Sequence, residues 1–256
     1  MNPIKPITAE ELEMLKKVDT PTVCNVIELF DYRPHNTGYM DARIQAAYPE
    51  LPPMVGYATT ATFRSAGPPI KGGGYAGLDG QIARFKDVRE PRVVVFQDLD
   101  NPSAAATFGE LMCGVYKTFG CVGLITSGAG RDLQQVRPLN FPVFTSGTIC
   151  SHGYVHILEA HVPVHVGGIM IYPGDLLHGD CNGVTTIPNE IASEVARLCA
   201  GFMEAEGYII EFIKKGQPDP KALADSREKC RAKTQELRER AKTFMAKMGT
   251  TEVRRH

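Results

Sequence analysis

Short apolar runs alternate with amphipathic segments along the first part of the chain and predict a mixed α/β fold. The candidate strands are the runs 54–64, 92–97, 121–126 and 141–145. Unbroken apolar runs of this length are typical of strands that are covered on both faces, as in a parallel sheet. Helical patterns lie between them, at about 77–87 and 107–119. The strand–helix–strand order therefore predicts a parallel layer.

The pattern changes after residue 153, where turn residues interrupt short apolar runs. The interruptions are Pro163, Gly167-Gly168, Pro173-Gly174 and Asn182-Gly183. The last pair lies between two apolar runs and predicts a tight hairpin, because Asn-Gly accommodates the positive φ angles of such turns. This second part of the core is therefore expected to be antiparallel. Together the two parts predict a layered β/β/α domain.

Helical patterns occupy both ends of the chain. Residues 8–17 form a candidate helix in which Thr8 and Glu11 have the spacing of a capping box. A second candidate helix covers 22–30, and a long amphipathic helix is predicted at about 189–214. The charged segment 221–247 predicts a C-terminal helical extension that packs on a partner subunit or lies in solvent. We expect a catalytic domain of residues 1–215 followed by a helical extension of residues 216–256.

Charge and cysteine content narrow the classes of partner and compartment. The net charge is −1 and the pI is about 6.7, which gives no electrostatic basis for binding nucleic acid or an anionic membrane. No stretch of 18 apolar residues is present, and the N-terminus does not resemble a signal peptide. The seven cysteines are odd in number and form no CxxC pair, which favours reduced thiols. We therefore expect a cytoplasmic protein that binds neither nucleic acid nor membrane.

One candidate site lies at the predicted start of a helix. Thr107 and Glu110 have the spacing of a capping box, so the helix is expected to begin here. The free N–H groups of a first helical turn can bind an anion such as a carboxylate. Gly109 would let a ligand approach the backbone closely. The alternative is that Glu110 only supports the helix start.

A second candidate site follows the 121–126 strand. The segment Gly128-Ala-Gly-Arg131-Asp132 lies at the carboxyl end of that strand, where ligands gather in open α/β layers. Arg131 can hold a carboxylate with two hydrogen bonds, and Asp132 offers the hard oxygen that Mg²⁺ prefers. The alternative is a surface Arg–Asp pair with little energetic effect.

Histidines cluster between residues 152 and 178 and form a third group of candidates. His161 and His165 would lie on one face of a strand. Such a pair could bind a metal, but no carboxylate with matching spacing accompanies it. Partly buried structural histidines are the simpler interpretation.

The two glycine-rich candidate sites together resemble a known family. Gly109-Glu110 and Arg131-Asp132, with twenty residues between Glu110 and Arg131, are similar to the acidic-x20-Arg-Asp signature of the RraA-like proteins. That family includes 4-hydroxy-4-methyl-2-oxoglutarate/4-carboxy-4-hydroxy-2-oxoadipate aldolases and the regulator of ribonuclease activity A. Further similar segments are 140–147, 162–175 and 180–188. The resemblance covers roughly residues 18–200.

The resemblance implies an α/β fold of the swivelling β/β/α type, assembled as a homotrimer or hexamer with active sites at subunit boundaries. It implies that the N–H groups of Leu111 and Met112 bind a pyruvate-like carboxylate. Arg131 would bind the same substrate, and Asp132 would hold Mg²⁺, or Mn²⁺ or another divalent metal, partly through water. We expect Glu110 to orient a water molecule that accepts the substrate's hydroxyl proton.

These expectations lead to one predicted function and two alternatives. The prediction is a divalent-metal-dependent class II aldolase that cleaves a 4-hydroxy-2-oxo acid to pyruvate and a second oxo compound. The same enolate chemistry would give an oxaloacetate decarboxylase side activity. One alternative is a non-catalytic regulator that binds a ribonuclease or helicase partner. The other is a lyase that acts on a different, sugar-derived hydroxy-oxo acid.

Overall fold

The computed structural model describes residues 6–73, 75–216 and 218–249. The chain divides into two compact units. One is Gly38–Pro188, and the other combines the described parts of Met1–Thr37 and Asn189–His256. The expected boundary after residue 215 falls between two helices of this second unit. The functional division into 1–215 and 216–256 stays a prediction, and its outermost residues, 1–5 and 250–256, lie outside the described residues.

Short strands make up most of the Gly38–Pro188 unit. In chain order they are β1 (Gln45–Ala46), β2 (Met54–Arg64), β3 (Arg92–Asp98), β4 (Ala106–Phe108), β5 (Cys121–Thr126), β6 (Ala129–Gly130), β7 (Val143–Thr145), β8 (Gly147–Thr148), β9 (His156–Ala160), β10 (Val164–Val166), β11 (Ile169–Ile171), β12 (Leu176–Asp180) and β13 (Gly183–Ile187). The helices of the two units are α1 (Ala9–Leu15), α2 (Thr20–Glu28), α3 (Leu78–Ala83), α4 (Glu110–Thr118), α5 (Leu133–Val136), α6 (Ala192–Lys215) and α7 (Pro220–Met248).

The main sheet joins a parallel and an antiparallel half, as the sequence predicted. Its strand order is β1-β7-β5-β3-β2-β12-β13, and β9 also pairs with β2. The neighbours β2, β3, β5 and β7 are parallel, whereas β9, β12 and β13 pair antiparallel. The predicted hairpin is confirmed, but Asp180 pairs with Gly183, so its two loop residues are Cys181 and Asn182.

Both faces of the parallel strands are buried, which explains their continuous apolar sequence. On β3, Val94 and Phe96 pack into a cluster with residues of α4. Val93 and Val95 face the opposite way and pack against the β10–β11 hairpin. Alternate residues of one strand therefore contribute to two different hydrophobic layers. Strand β5, after which the second candidate site begins, is paired with β3 and lies between the same two layers.

The other unit is helical. The predicted capping box of α1 is confirmed: Thr8 accepts a hydrogen bond from the Glu11 N–H, and the Glu11 carboxylate accepts one from the Thr8 N–H. The charged helix α7 packs along α6 of its own chain and buries Leu237 and Ala241. The sequence analysis had assigned this helix to a partner subunit or to solvent, because its few apolar residues are spread thinly among charged ones.

Two general expectations concern the membrane and the cysteines. Within the part of the chain that the structure describes, no helix has both the length and the apolar character needed to cross a membrane. The seven cysteines, all of which lie within the described residues, form no disulfide bond. Burial raises the pKa of Cys113, Cys121 and Cys199 to about 12, so these three thiols stay protonated near neutral pH.

Candidate active site

The start of α4 differs from the prediction. Thr107 lies inside β4, fully buried, and its hydroxyl is 2.9 Å from Thr126 Oγ1 and 3.0 Å from the Ala129 carbonyl oxygen. It is therefore used in packing β4 against the end of β5 and is not available as a cap. The predicted Thr107–Glu110 capping box is wrong. Gly109 is the N-cap residue, without a side-chain hydrogen bond, and Glu110 is the first residue of the helix.

The first turn of α4 presents backbone donors to the site. The Cys113 N–H makes the first helical hydrogen bond, to the Gly109 carbonyl at 3.1 Å. The N–H groups of Glu110, Leu111 and Met112 therefore precede the helical hydrogen-bond ladder. The Glu110 N–H lies 3.3 Å from Oδ2 of Asp132. The Leu111 side chain is 69% exposed, whereas Met112 is buried in the core.

A small parallel sheet brings Arg131 and Asp132 to this helix start. Strand β6 pairs with β4, and the Arg131 N–H continues the pairing by donating to the Phe108 carbonyl at 3.1 Å. A Cβ atom at Gly130 would overlap the Phe108 ring, so only glycine permits this close approach. Asp132 then adopts a left-handed conformation (φ 55°, ψ 35°), which Asp tolerates better than most residues. The chain turns at this point, before α5 begins.

The acidic and basic side chains of the site lie beside each other. The Nε atom of Arg131 is 3.5 Å from Oδ2 of Asp132, and both side chains are partly exposed. A Cβ atom at Gly109 would come within 2.6 Å of Oδ2 of Asp132 and 3.3 Å of Nε of Arg131. The structure thus brings together Gly109, the backbone of Glu110, and Arg131 and Asp132, residues that the sequence analysis had proposed as two separate motifs.

These residues line a narrow pocket with a volume of about 10 Å³, room for roughly one water molecule. Its lining consists of Tyr75, Ala106, Phe108, Gly109, Leu111, Met112, Arg131, Asp132, His152 and Val155. The Glu110 side chain is not part of this lining. Neither Tyr75 nor His152 was among the catalytic, substrate-binding or metal residues predicted from the sequence, although the loop of residues 65–75 was expected to contact the distal part of the substrate. The histidine cluster in the sequence was the one signal that pointed toward His152.

The donor set of the pocket is compatible with a divalent cation held mainly by water and substrate. Oδ2 of Asp132 is engaged by Glu110 and Arg131, whereas its Oδ1 makes no hydrogen bond with the described residues. Residues 6–73, 75–216 and 218–249 contain no group of three His, Cys, Asp or Glu side chains arranged to hold a metal. A single carboxylate fits Mg²⁺, which keeps several waters and is often bound by one or two carboxylates plus substrate oxygens.

His161 and His165, which the sequence analysis considered as metal ligands but interpreted as structural histidines, do not lie on one strand. His161 lies in the turn after β9, with a positive φ of 64°, while His165 lies in β10. The two residues therefore do not share one face of a continuous strand. Pro163, two residues after His161, has no N–H to donate to a strand partner and interrupts the extended run.

The thiol nearest the site is not a nucleophile. Burial, together with the smaller effect of the negative charge of Asp132, raises the pKa of Cys113 to about 12. The thiolate is the reactive form of cysteine, and with this pKa it is scarcely populated near neutral pH. Cys113 therefore serves as a packing residue behind the first turn of α4.

Comparison with known proteins shows which family the chain belongs to. The model of the RraA-like family, described as Aldolase/RraA, matches residues 20–186, which include every residue of the site. The chain belongs to the RraA-like family. The resemblance drawn from the two motifs is thereby confirmed, and the α/β fold with C-terminal helices agrees with the structures of RraA-type proteins.

Individual relatives of this RraA-like chain are only moderately similar. A protein of Halalkalibacterium halodurans named "putative 4-hydroxy-4-methyl-2-oxoglutarate aldolase" is 39% identical over 99 residues, which is 38% of this chain and 47% of that protein. The chain spans about half the length of the first curated relatives that it matches.

Two solved structures share the fold. An uncharacterized protein from Pseudomonas syringae pv. tomato is 23% identical, with a TM-score of 0.68 over 88% of this chain and 96% of that one. RraAS2 of Streptomyces coelicolor, described as an unusual member of the RNase ES inhibitor RraA protein family, is also 23% identical. Its TM-score is 0.62 over 80% of this chain and 98% of that one. At this level of identity, the likeness concerns the fold alone.

Proposed function

We propose that this RraA-like protein is a divalent-metal-dependent carbon–carbon lyase that releases pyruvate from a 4-hydroxy-2-oxo acid. The observation that carries the proposal is the convergence of Arg131 and Asp132 on the N-terminal turn of α4 in one pocket. The guanidinium of Arg131, the carboxylate of Asp132 and the backbone N–H donors of the helix start lie close together. They form a site suited to an anionic 2-oxo acid. The aldolase name of the H. halodurans relative supports 4-hydroxy-4-methyl-2-oxoglutarate as the substrate to test first.

The substrate's carboxylate would bind at the helix start. The N–H groups of Leu111 and Met112 are donors of the first turn, where the helix dipole also favours negative charge. Gly109 carries no side chain that would block the approach of a ligand to these groups. Arg131 adds a guanidinium that can hold a carboxylate or an enolate oxygen with charge-assisted hydrogen bonds. These groups together orient the 2-oxo acid and stabilise its charge.

Asp132 would hold the divalent metal, which we propose to be Mg²⁺, with Mn²⁺ or another divalent ion as substitutes. When bound, such an ion supplies Lewis-acid stabilisation of the oxygen that becomes negative in the reaction. Asp132 itself is held by the Glu110 N–H and Arg131, so its carboxylate is oriented before substrate arrives. The Glu110 carboxylate, exposed at the first helical position, remains available to orient a water molecule.

The chemistry follows from the charge that develops. Breaking the bond between C3 and C4 leaves its electron pair on the pyruvate enolate, whose oxygen becomes negative. Arg131 and the α4 donors are placed to stabilise that oxyanion, and one such donor typically contributes about 10²–10³ in rate. The same stabilisation would support decarboxylation of oxaloacetate, in which the leaving group is CO₂ and no hydroxyl proton is removed. We therefore propose both activities.

A homotrimer or hexamer is part of the proposal. The pocket of one chain holds roughly one water molecule, so a five-carbon substrate backbone needs additional space or walls. Leu111, at the pocket, is largely exposed in the single chain and could be covered by a neighbouring subunit.

The test is a substrate panel for pyruvate release, read by coupling to a lactate dehydrogenase. Purified protein is mixed with 4-hydroxy-4-methyl-2-oxoglutarate, oxaloacetate or sugar-derived hydroxy-oxo acids, each with Mg²⁺ and with EDTA. We expect Mg²⁺-dependent pyruvate from the first two. Pyruvate release only from a sugar-derived acid would show that such an acid, and not 4-hydroxy-4-methyl-2-oxoglutarate, is the substrate. Well-folded protein that releases pyruvate from none of these compounds would favour a non-catalytic regulator.

A further inference from the structure

His152 is one of the residues that line the pocket with Arg131 and Asp132. The other ionisable side chain of the lining is Tyr75. Arginine stays protonated in proteins, and the Asp132 carboxylate is engaged by Glu110 and Arg131. Imidazole is the side chain that ordinarily gains and loses a proton near neutral pH. His152 is therefore the lining residue best suited by its chemistry to proton transfer.

A hydrogen bond to the backbone determines which ring nitrogen of His152 carries hydrogen. Nδ1 lies 2.8 Å from the Gly153 carbonyl oxygen. A carbonyl oxygen can only accept, so Nδ1 must be the donor. In the neutral ring, Nε2 then has a free lone pair and can accept a proton. The local structure thus holds His152 in the tautomer that a general base requires.

The turn that carries His152 is anchored on both sides. The Ser151 carbonyl accepts the Ala106 N–H at 2.8 Å, and the Tyr154 N–H donates to the Ser65 carbonyl at 3.0 Å. Gly153 has a positive φ of 50°, and a Cβ atom there would lie 2.7 Å from the Ser65 carbonyl oxygen. The carbonyl that orients the His152 ring is therefore held by glycine in a close-packed turn.

From this geometry we propose that His152 is the general base and acid of the lyase reaction. The inference rests on the function proposed above. Nε2 takes the proton of the substrate's 4-hydroxyl, the C4–O bond becomes a carbonyl, and the C3–C4 electron pair becomes the enolate of pyruvate. The same Nε2–H then returns the proton to C3, which gives the pyruvate methyl group and restores the neutral ring. Glu110 is less suited to this role, because its side chain does not line the pocket.

Two substitutions separate this role from a structural one. His152→Asn places an amide nitrogen at about the position of Nδ1, so the hydrogen bond to Gly153 can be kept while Nε2 is lost. His152→Ala removes both. His165→Asn, at an exposed position of β10 and outside the pocket, is the matched control. For each protein, the rates of aldol cleavage and of oxaloacetate decarboxylation are measured under the same conditions.

We expect both His152 variants to lose about 10²–10⁴-fold in aldol cleavage. Oxaloacetate decarboxylation should be largely kept, because it removes no hydroxyl proton and the enolate can be protonated by water. Normal aldol cleavage by His152→Asn would overturn the inference, because it would show that the hydrogen bond to Gly153, and not Nε2, is needed for activity. Equal loss of both reactions in the two variants, which would indicate a collapsed pocket, also overturns it.

The failure of the proposed function would be visible separately. Wild-type protein that releases pyruvate from neither substrate would contradict the lyase assignment itself, before any variant is compared. Wild-type protein that catalyses both reactions, with His152 variants that do the same, would leave the lyase assignment intact and overturn only the role of His152.

Discussion

Gly109 and Asp132 approach so closely that a Cβ atom at residue 109 would lie 2.6 Å from Oδ2 of Asp132. The backbone of Gly109 is extended (φ −156°), so any residue could adopt its conformation. The requirement for glycine here comes from the space that the Asp132 carboxylate occupies. Residues 109 and 132 are 23 positions apart in the sequence. They can lie in one site because residue 109 has no side chain.

The first prediction concerns this contact. Gly109→Ala should displace the Asp132 carboxylate and lower the rate of pyruvate release more than tenfold, while the fold is retained. Gly114→Ala is the matched control, since Gly114 lies inside α4, the helix that Gly109 precedes, and an added Cβ there would have nothing within 4 Å. That control should keep full activity and gain about 0.5–1 kcal/mol of stability, as Ala replaces Gly in a helix interior. Steady-state rates and thermal unfolding check both variants, and equal activity of the two would contradict the account.

The second prediction concerns Arg131. Arg131→Ala should lower kcat/KM for pyruvate release by about 10²–10³, because it removes a donor to the developing oxyanion. Arg137→Ala is the control: Arg137 pairs with Glu50 and lies over the Tyr48 ring, away from the pocket. It should remain close to wild type. A kinetic comparison in which both arginine variants behave alike would remove Arg131 from the site.

The sequence predicted the framework better than the details of the site. The strands Met54–Arg64 and Cys121–Thr126 match the predicted runs at both ends, because burial on both faces leaves a continuous apolar pattern that can be recognised locally. The structure also places Arg131 and Asp132 beside the start of α4, after the Cys121–Thr126 strand and the short strand Ala129–Gly130, and their catalytic roles stay a prediction. The two residues could be proposed from a single sequence because they lie near the end of a recognisable strand and match the family signature.

The errors came from contacts that no local pattern records. Thr107 has the spacing of a helix cap but is used by a short strand, whose partner, Ala129–Gly130, lies more than twenty residues away. His152 reaches the pocket because its turn is anchored to Ser65 and Ala106, at two other places in the chain. Such long-range pairings decide side-chain roles, and hydrophobic periodicity carries no information about them.

A third prediction follows from the buried carboxylate of Glu11. Burial disfavours its ionised form, but the Thr8 N–H, the Ser193 hydroxyl and Arg197 outweigh that effect and hold the pKa of Glu11 below its ordinary value of 4.5. A lowered pKa in the folded state stabilises the protein above the unfolded pKa, and this contribution is lost as the pH falls through the folded pKa.

Glu11→Gln should therefore be less stable than wild type at pH 7, and the difference should shrink once the pH falls below about 4.5. Urea unfolding of both proteins between pH 7 and pH 3 measures it. Glu13→Gln, at an exposed position that pairs with Lys16, should show little difference at any pH. A stability gap for Glu11→Gln that stays constant with pH would show that the carboxylate charge is not responsible.

The fourth prediction concerns the packing of α7 on α6. Leu237 is buried, and a Cβ atom at Gly201 would lie 2.9 Å from its Cδ2 atom. Leu237→Ala should lower the free energy of unfolding by about 2–5 kcal/mol, as is typical for a truncated core side chain. Arg231→Ala, at an exposed position of the same helix, should change it by less than about 0.5 kcal/mol. Chemical denaturation of both variants tests whether the packing of α7 on α6 stabilises the helical unit. Equal effects of the two substitutions would contradict this prediction.

The central claim is that Asp132 provides the chain's carboxylate for a catalytic divalent metal. The most direct test is the initial rate of pyruvate release as a function of Mg²⁺ concentration, in wild type and in Asp132→Asn. We predict that the wild-type rate rises with Mg²⁺ to saturation and is abolished by EDTA. The Asp132→Asn rate should stay near background or need at least tenfold more Mg²⁺. An EDTA-insensitive wild-type rate, or identical Mg²⁺ curves for the two proteins, would contradict the claim.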